Sequence, residues 1–416
     1  MNRELQAPTP RKKLRVCLFT ETYYPAIGGG ETQARLLAEA LVANSDAALI
    51  LTRRHDPQLP AYEQYRDVPV YRLPPAGGGQ LKKWGLLCSG FPALLRLRRE
   101  YDLIFVSGYR IIGIAAVLAS RLLGKKCLLK ADSRGEMSGE FFREGLKKIG
   151  RTPDWLPFRW FLRVRNAILS RADAFVAISA EIAGEYRAAG IPPERLLEIP
   201  NGVDTREFHP ASPEEKQALR EKLELPRNAT IVVYTGRLVT YKGLPLLLQV
   251  WKELVERRHN FYLVLVGAGG LDMHNCEAEL REYVAAQRLG ETVRFTSNVE
   301  NVAEYLQAAD IFAFPTEEDA FPAALIEAMA CALPVITTPV GAIQDIIIDQ
   351  ENGILIQPGA FDPLYQAIDR LASESNNAAQ LGQGAFRSVQ TQYSAAVVTQ
   401  RYLKSFQDIL QGQLNG

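Results

Sequence analysis

The sequence has 416 residues, too many for one ordinary hydrophobic core, so we expect two domains. Its 48 basic and 47 acidic residues leave a formal net charge of +1, which argues against nucleic-acid binding through bulk charge. No apolar stretch reaches the length of a membrane span, and the polar, basic start at Met1–Lys13 lacks the apolar core of a secretory signal.

The cysteines and histidines predict neither disulfides nor a metal site. Five cysteines are scattered without CxxC spacing, which is typical of a reduced, cytoplasmic protein. They are Cys17, Cys88, Cys127, Cys276 and Cys331. The four histidines have no metal-ligand spacing, and no Asp-x-Asp motif occurs in the chain. We therefore expect no catalytic metal and no cofactor.

Short apolar runs alternate with amphipathic stretches along the chain, as in parallel α/β domains. The predicted strands of the first half are Leu14–Phe19, Ala47–Leu51, Leu103–Ser107, Cys127–Lys130, Ala174–Ile178 and Leu196–Ile199. A helix is predicted at Thr32–Val42, because Ala34, Leu37, Ala38 and Leu41 share one face.

Three glycines, Gly28 to Gly30, stand directly before this helix, and Glu31 follows them. Adjacent glycines let the backbone approach a phosphate closely and point N–H groups at it. The run is not a G-x-G-x-x-G fingerprint, because Ala34 and Arg35 occupy the later positions, so a dinucleotide site is not supported. A phosphate cradle and a plain flexible turn both fit the pattern.

A basic and aromatic segment lies at 141–165. Its basic residues are Arg143, Lys147, Lys148, Arg151, Arg159, Arg163 and Arg165, against Glu144 and Asp154, and its rings are Phe141, Phe142, Trp155, Phe158, Trp160 and Phe161. Such a helical stretch can seat a protein peripherally on an anionic membrane surface. It can equally form an acceptor groove, or a helix pair that buries its rings.

The second half repeats the alternation of strands and helices after a connector at Thr205–Asn228, whose prolines and charges suit a short helix. Its predicted strands are Ile231–Tyr234, Tyr262–Val266, Val293–Phe295, Ile311–Phe314, Pro334–Thr337 and Gly353–Ile356. We predict domains at 14–210 and 226–390, and a last helix within 391–416 that crosses back to the first domain. Open α/β sheets bind ligands at the carboxyl ends of their strands, so a cleft between the domains is the expected site.

Arg237 and Lys242 follow the first strand of the second domain, in the run Gly236-Arg237 to Lys242-Gly243. A forked guanidinium and a point ammonium at the carboxyl edge would clamp a diphosphate from two sides without a metal. A solvated surface pair is the alternative. Val299, after the third strand, lies on the same edge, where its backbone can meet a nucleobase.

Two carboxylates, Asp319 and Glu327, stand eight residues apart across the start of a helix. Pro322 suits the first helical position. Ala323 and Ala324 are small enough to let a ligand reach the free N–H groups of the first turn, and Glu327 shares their face. The stretch predicts a site for a phosphorylated sugar; a buried helix with two surface acids is the alternative.

These motifs together resemble the retaining glycosyltransferases of family 4, over about Val16 to Ile368. The motifs that carry the resemblance are Gly28–Glu31 (GGxE), Ile199–Asp204 with Phe208–Pro210 (IPNGVD…FxP), Gly236-Arg237 with Lys242-Gly243 (GR…KG), and Asp310–Gly353 (the donor-site passage that ends in NG). The resemblance implies a GT-B fold, in which two Rossmann-like domains with parallel sheets face each other across a cleft.

The resemblance also implies the role of each site residue. It assigns the diphosphate to Arg237, Lys242 and the amides of Gly29 and Gly30, the ribose to Glu327, and the base edge to Val299. The donor sugar is assigned to Asp319 and to the backbone that follows it, made up of Phe321, Pro322, Ala323, Ala324 and Leu325.

Two departures from the family pattern concern Asp319 and the acceptor side. The family usually has Glu followed by Gly in the first position of its E-x7-E pair, where this chain has Asp319 and Ala320. Many members carry a His near the acceptor. This chain has none in that region, and Lys130, Asp132 and Arg134 are assigned to the acceptor side instead.

We therefore interpret the chain as a retaining, metal-independent transferase that moves a hexose from a UDP- or GDP-sugar to an acceptor hydroxyl. The acceptor is a small molecule, a glycan or a lipid-linked molecule, and the setting is the cytoplasm or the inner membrane surface. A GT-B-type nucleotide-sugar epimerase is one alternative, disfavoured by the scarcity of His. A non-catalytic nucleotide-sugar-binding subunit is the other, if Asp319 is disabling.

Overall fold

The computed structural model describes residues 13–26, 28–77, 80–148, 150–257, 260–270 and 272–413. The chain divides into two compact units. The first comprises the described residues of 1–177, 182–198 and 399–416, and the second those of 178–181 and 199–398. Each unit is built on its own β-sheet.

The first unit holds an eight-stranded sheet. Its strands are β1 Arg15–Thr20, β2 Ala47–Arg53, β3 Tyr62–Tyr65, β4 Val68–Leu73, β5 Leu103–Ser107, β6 Lys126–Lys130, β7 Ala174–Ala177 and β8 Leu196–Glu198. The spatial order is β3-β4-β2-β1-β5-β6-β7-β8, and every neighbouring pair is parallel except β3 with β4. The six strands predicted for this half are confirmed, with ends that differ by a residue or so.

The hairpin of β3 and β4 departs from the predicted all-parallel sheet. Its two-residue turn consists of Arg66 and Asp67, with φ of 48° and 63°. Tight hairpins require this left-handed backbone, and they normally signal it with Asn or Gly. Because neither of those residues stands here, the sequence pattern did not predict the hairpin.

The helices of this half cover the sheet. They are α1 Gly29–Ala43, α2 Gln80–Arg96, α3 Ile112–Leu123, α4 Arg143–Lys148, α5 Leu156–Leu169 and α6 Ala180–Ala188. The predicted face of α1 is buried, as expected from its spacing. The helix begins at Gly29 rather than at Thr32, so Gly29 and Gly30 lie in its first turn and not before it.

The second unit holds a six-stranded, fully parallel sheet. Its strands are β9 Thr230–Thr235, β10 Phe261–Val266, β11 Val293–Phe295, β12 Ile311–Phe314, β13 Val335–Thr337 and β14 Ile354–Leu355. The spatial order is β11-β10-β9-β12-β13-β14. The predicted strands are confirmed, and two of them match residue for residue. The strand order reverses between β9 and β12, because the chain first builds outward to β11 and then returns to the other side of β9.

The remaining helices follow in chain order. They are α7 Pro213–Lys222, α8 Leu244–Arg257, α9 Glu277–Ala286, α10 Val302–Ala308, α11 Ala323–Ala330, α12 Ile343–Ile346, α13 Phe361–Ser373, α14 Ser375–Ser388 and α15 Ala395–Gln411. The connector helix α7 begins with a capping box, in which Ser212 and Glu215 exchange side-chain and backbone hydrogen bonds. None of the helices in the described ranges is long and apolar enough to cross a membrane.

Candidate functional site

The reversal of strand order in the second unit places two loops side by side at the carboxyl edge of the sheet. One loop, 236–243, follows β9, and the other, 315–322, follows β12. We call these two the switch-point loops. Open α/β sheets bind their ligands at such a reversal, so this edge is the candidate site of the second unit.

The switch-point loops are pressed together at Gly243. This glycine has φ of 69°, and a Cβ atom there would overlap the carbonyl oxygen of Pro315 in the other loop. Only glycine combines that backbone with that approach. The close packing brings the residue before it, Lys242, against the second loop.

Lys242 and Asp319 form a largely buried ion pair that ties the two loops together. The Lys242 ammonium donates to a carboxylate oxygen of Asp319 at 2.7 Å and to the backbone carbonyl of Glu318 at 2.9 Å. The second carboxylate oxygen of Asp319 accepts the N–H of Phe321 at 3.0 Å. Both oxygens of Asp319 are therefore engaged, and the carboxylates of Glu317 and Glu318 do not displace it from Lys242.

Arg237 lies in the same loop but has different partners. Its side chain is 60% exposed and forms an ion pair with Asp272, and it donates to the Tyr241 hydroxyl at 2.7 Å. The Tyr241 ring also lies 5.2 Å from the Lys242 ammonium. Sequence reasoning missed Asp272 and Tyr241; the position of Tyr241, directly before the lysine, was the available signal.

Helix α11 begins one residue later than predicted. Pro322 is the N-cap and Ala323 the first helical residue, which corrects the placement of Pro322 at the first helical position. The Pro322 carbonyl accepts the N–H of Leu325 at 3.2 Å, and the Leu325 side chain is fully buried. In the described part of the chain, the N–H groups of Ala323 and Ala324 make no hydrogen bond. These two amides, rather than Leu325, are the ones open to an anionic ligand.

Glu327 lies one turn further along α11, on the face of Ala323 and Ala324. It is half-buried, and burial together with the nearby negative charge of Glu207 raises its pKa to about 7. A ligand that donates a hydrogen bond to a carboxyl with a pKa near 7 readily shifts that carboxyl to its ionised form. Glu207, in the connector before α7, was not singled out from the sequence.

Val299 follows β11 on the carboxyl edge of the same sheet. Its loop is fixed by Ser297, whose carbonyl accepts the N–H of Gly267 at 3.1 Å. The Val299 side chain packs against the core. Its backbone N–H and C=O make no hydrogen bond to the described residues, so they are available to a planar polar ligand.

The first unit has its own polar cluster, at the carboxyl edge of β5 and β6. The buried Lys130 ammonium forms an ion pair with Asp132, and the Ser107 hydroxyl lies 2.9 Å from both oxygens of that carboxylate. A Cβ atom at Gly30 would stand 3.0 Å from Asp132, so the carboxylate lies close to the first turn of α1. Ser107 was missed from the sequence, although it ends a predicted strand.

Arg134 does not join this cluster. Its side chain is exposed and faces Glu140, with 3.6 Å between guanidinium and carboxylate. At the start of α1, the Thr22 hydroxyl donates to Glu31, which folds back over Gly28. The structure therefore groups Lys130 and Asp132 with Gly30 and separates Arg134 from them.

No group of three or more His, Cys, Asp or Glu side chains that could hold a metal ion occurs among the residues the structure describes.

Two family models match the chain. The model described as glycosyl transferases group 1 matches residues 215–388, and the one described as a glycosyl transferase 4-like domain matches residues 28–202. Together they take in most of the sequence, and their matches contain the site residues of both units. The chain therefore belongs to the group 1 glycosyltransferases of family 4.

Curated relatives of this family align over different shares of the chain. A D-inositol 3-phosphate glycosyltransferase of Xylanimonas cellulosilytica is 30% identical over 52% of this chain. The alignment spans about half of that relative's length, 53%. An uncharacterized glycosyltransferase of Methanocaldococcus jannaschii is 24% identical over 87% of this chain and 90% of its own.

Solved structures share the fold. A sucrose-phosphate synthase from Thermosynechococcus elongatus superposes with a TM-score of 0.78, at 23% identity, over 96% of this chain and all of its own. HepE of Anabaena, in complex with UDP-glucose, gives a TM-score of 0.73 at 19% identity over 95% of this chain and all of its own. The fold is GT-B: two α/β domains with mostly parallel sheets.

Proposed function

We propose that the chain transfers a hexose from a UDP- or GDP-sugar to an acceptor hydroxyl, with retention of configuration. The observation that carries this proposal is the buried Lys242–Asp319 pair at the switch-point loops, next to the first turn of α11 with its two unbonded amides. A fixed cation beside a helix N-terminus favours phosphate groups. Membership of the glycosyltransferase family and the UDP-glucose bound to HepE support a nucleotide sugar as the ligand.

The nucleotide part of the donor is assigned to four residues. Lys242 and Arg237 neutralise the diphosphate, and the exposed Arg237 guanidinium turns from Asp272 toward it. Glu327 accepts hydrogen bonds from the ribose hydroxyls, because it lies one turn beyond the open amides of α11. The Val299 backbone meets the edge of the base. The assignment of the Gly29 and Gly30 amides to a phosphate stays a prediction.

Asp319 orients the donor sugar, and the ion pair with Lys242 holds the Asp319 carboxylate in place. The acceptor oxygen bonds to the anomeric carbon on the face from which the diphosphate departs, and the acceptor proton passes to the leaving phosphate oxygen. No side chain is needed as nucleophile, so the rate depends on positioning and on neutralising the leaving group. The scheme uses no metal.

We assign the acceptor side to Lys130 and Asp132. The Asp132 carboxylate accepts a hydrogen bond from the acceptor hydroxyl, and the buried Lys130 ammonium, paired with that carboxylate, holds it in place. The proposed setting is the cytoplasm, where the five cysteines, all free, stay reduced.

The test is a panel of UDP-, GDP- and ADP-sugars, incubated with the protein in the presence of EDTA. Binding of the matching nucleoside diphosphate with slow release of free sugar supports a transferase. Binding without sugar release indicates a binding subunit, and interconversion of the donor sugar indicates an epimerase. Failure to bind any nucleotide overturns the proposal, and activity that requires added Mg²⁺ or Mn²⁺ overturns its metal-free part.

A further inference from the structure

The basic and aromatic segment at 141–165 divides into two kinds of residue. Phe142, Phe158 and Phe161 pack on one another, with ring centroids 6.0 to 6.2 Å apart. Phe158 is buried and the other two rings are partly buried, so these three agree with the prediction of rings packed between helices, but only one of them is buried. The transferase reaction proposed above uses none of the remaining residues of the segment at 141–165.

Three other apolar residues of α5 form one exposed stripe. Leu156 is 74% exposed, Trp160 69% and Val164 39%. Because these residues are four apart, they lie one above another on the helix. Arg159 and Arg163, also four apart and exposed, flank the stripe. We call these five residues the α5 outer face.

The α5 outer face carries positive charge without nearby compensation. Neither Arg159 nor Arg163 pairs with a carboxylate among the described residues. Trp155, directly before the helix, is exposed as well, at 38%. An exposed apolar stripe of this kind on a folded protein marks an interaction surface.

We infer that the α5 outer face docks on an anionic lipid surface. Tryptophan is favoured at the boundary of headgroups and acyl chains, and arginines beside it reach the lipid phosphates while their stems lie on apolar surface. The combination of an apolar stripe and basic flanks is that of helices lying in the membrane interface.

The opposite side of α5 holds the helix in a fixed orientation. Arg165 is buried and donates to the carbonyl of Arg110 at 2.6 Å and to that of Glu136 at 2.5 Å. The outer face is therefore formed before any lipid is met, and binding does not have to offset the cost of folding the helix. This inference does not depend on the proposed transferase activity.

The test is flotation of the purified protein with vesicles of equal parts phosphatidylglycerol and phosphatidylcholine, beside vesicles of phosphatidylcholine alone. We expect binding to the anionic vesicles that weakens with salt. The R159E/R163E variant should bind about tenfold more weakly or worse, and Trp160→Ser should also lose binding. R387E/K404E changes the net charge equally at exposed positions outside the outer face and should bind like the parent.

Three results would overturn the inference. They are equal binding to neutral vesicles, equal binding by R159E/R163E and R387E/K404E, and a stable dimer that Trp160→Ser dissolves while vesicle binding is unchanged. Unfolding temperatures of all variants, together with nucleoside diphosphate binding, show whether a loss of flotation comes from loss of the fold. Ile348→Ser, which removes another exposed apolar side chain outside the outer face, is the control for Trp160→Ser.

Discussion

Each sheet sets a buried lysine against an aspartate at the edge where its parallel strands end, but the two pairs are built differently. Lys130 and Asp132 are two residues apart, at the end of β6 and just after it. Lys242 and Asp319 are 77 residues apart and join two loops. The first pair fixes one carboxylate, whereas the second fixes the spacing of a whole site.

Because the two pairs are built differently, breaking each of them should have different consequences. Removing one partner of a buried ion pair leaves an uncompensated charge, at a cost of about 3–5 kcal/mol. In the first unit that cost falls on the end of one strand and the residues that follow it. In the second it falls on both switch-point loops, whose spacing also positions α11. We therefore expect changes at Lys242 to affect every step, and changes at Asp132 to affect only the acceptor.

The largest effect is expected from Lys242→Ala. It removes the cation from the leaving diphosphate and frees the two loops, so turnover should fall by at least about 10²-fold. Arg237→Ala should act in the same direction. Turnover is measured with the donor found in the panel, and Lys252→Ala, a partly exposed lysine on α8, is the control. Near-normal rates in both site variants would remove the clamp from the mechanism.

A smaller and more selective effect is expected from Asp132→Asn. Transfer to the acceptor should fall about tenfold or more, because Lys130 loses its counter-charge and the acceptor hydroxyl its ionised partner. Nucleoside diphosphate affinity and donor hydrolysis should stay as in the parent. Titration calorimetry beside turnover separates the two readouts. If Asp132→Asn weakened nucleotide binding as much as it slowed transfer, the two lysine–aspartate pairs would not have separate roles.

Glu327→Gln should weaken nucleoside diphosphate binding about tenfold, since the charge-assisted hydrogen bonds to the ribose are lost. Because the pKa of Glu327 is about 7 in the free protein, the parent should also bind about tenfold more weakly at pH 6 than at pH 8. The phosphate titrates in this range too, so the slope of Glu327→Gln is the baseline. Identical slopes in parent and variant would exclude Glu327 from the ribose.

The same raised pKa has a consequence for stability. A carboxyl whose pKa is higher in the folded protein than in the unfolded chain costs stability as pH rises from about 4.5 to 7. The free energy of unfolding of Glu327→Gln should therefore exceed that of the parent by about 1–3 kcal/mol at pH 8 and equal it at pH 4. Thermal unfolding at the two pH values checks the sign.

The smallest binding effect is expected from Asp319→Asn. Removing this charge leaves Lys242 no less available to a diphosphate, so nucleotide affinity should be unchanged or slightly stronger, while transfer falls because the sugar is no longer oriented. Asp319→Glu introduces the residue that is usual in the family, and its transfer rate tests whether the shorter Asp side chain is matched to this donor. Weaker nucleotide binding in Asp319→Asn would contradict the division of roles between Asp319 and Glu327.

The sequence predicted most of the strands, because short apolar runs between amphipathic helices are a local signal. It also predicted Lys242, Asp319 and Glu327 as site residues. The partners of those residues were not predictable in the same way. The pairing of Arg237 with Asp272, and the charge of Glu207 beside Glu327, depend on distant loops meeting, which no periodicity encodes. The β3–β4 hairpin was missed for the opposite reason, since its local turn signal was absent.

Gly243 contributes no side chain to the site, yet it decides how far apart the switch-point loops lie. A homologous chain could keep Lys242, Asp319 and Glu327 and still be inactive if any larger residue stood at 243, because the overlap with the Pro315 carbonyl would push the lysine off its aspartate. Counting the charged residues of a donor site is therefore a poor way to judge whether a relative is functional. The residue to check first is the one that bears no chemistry at all.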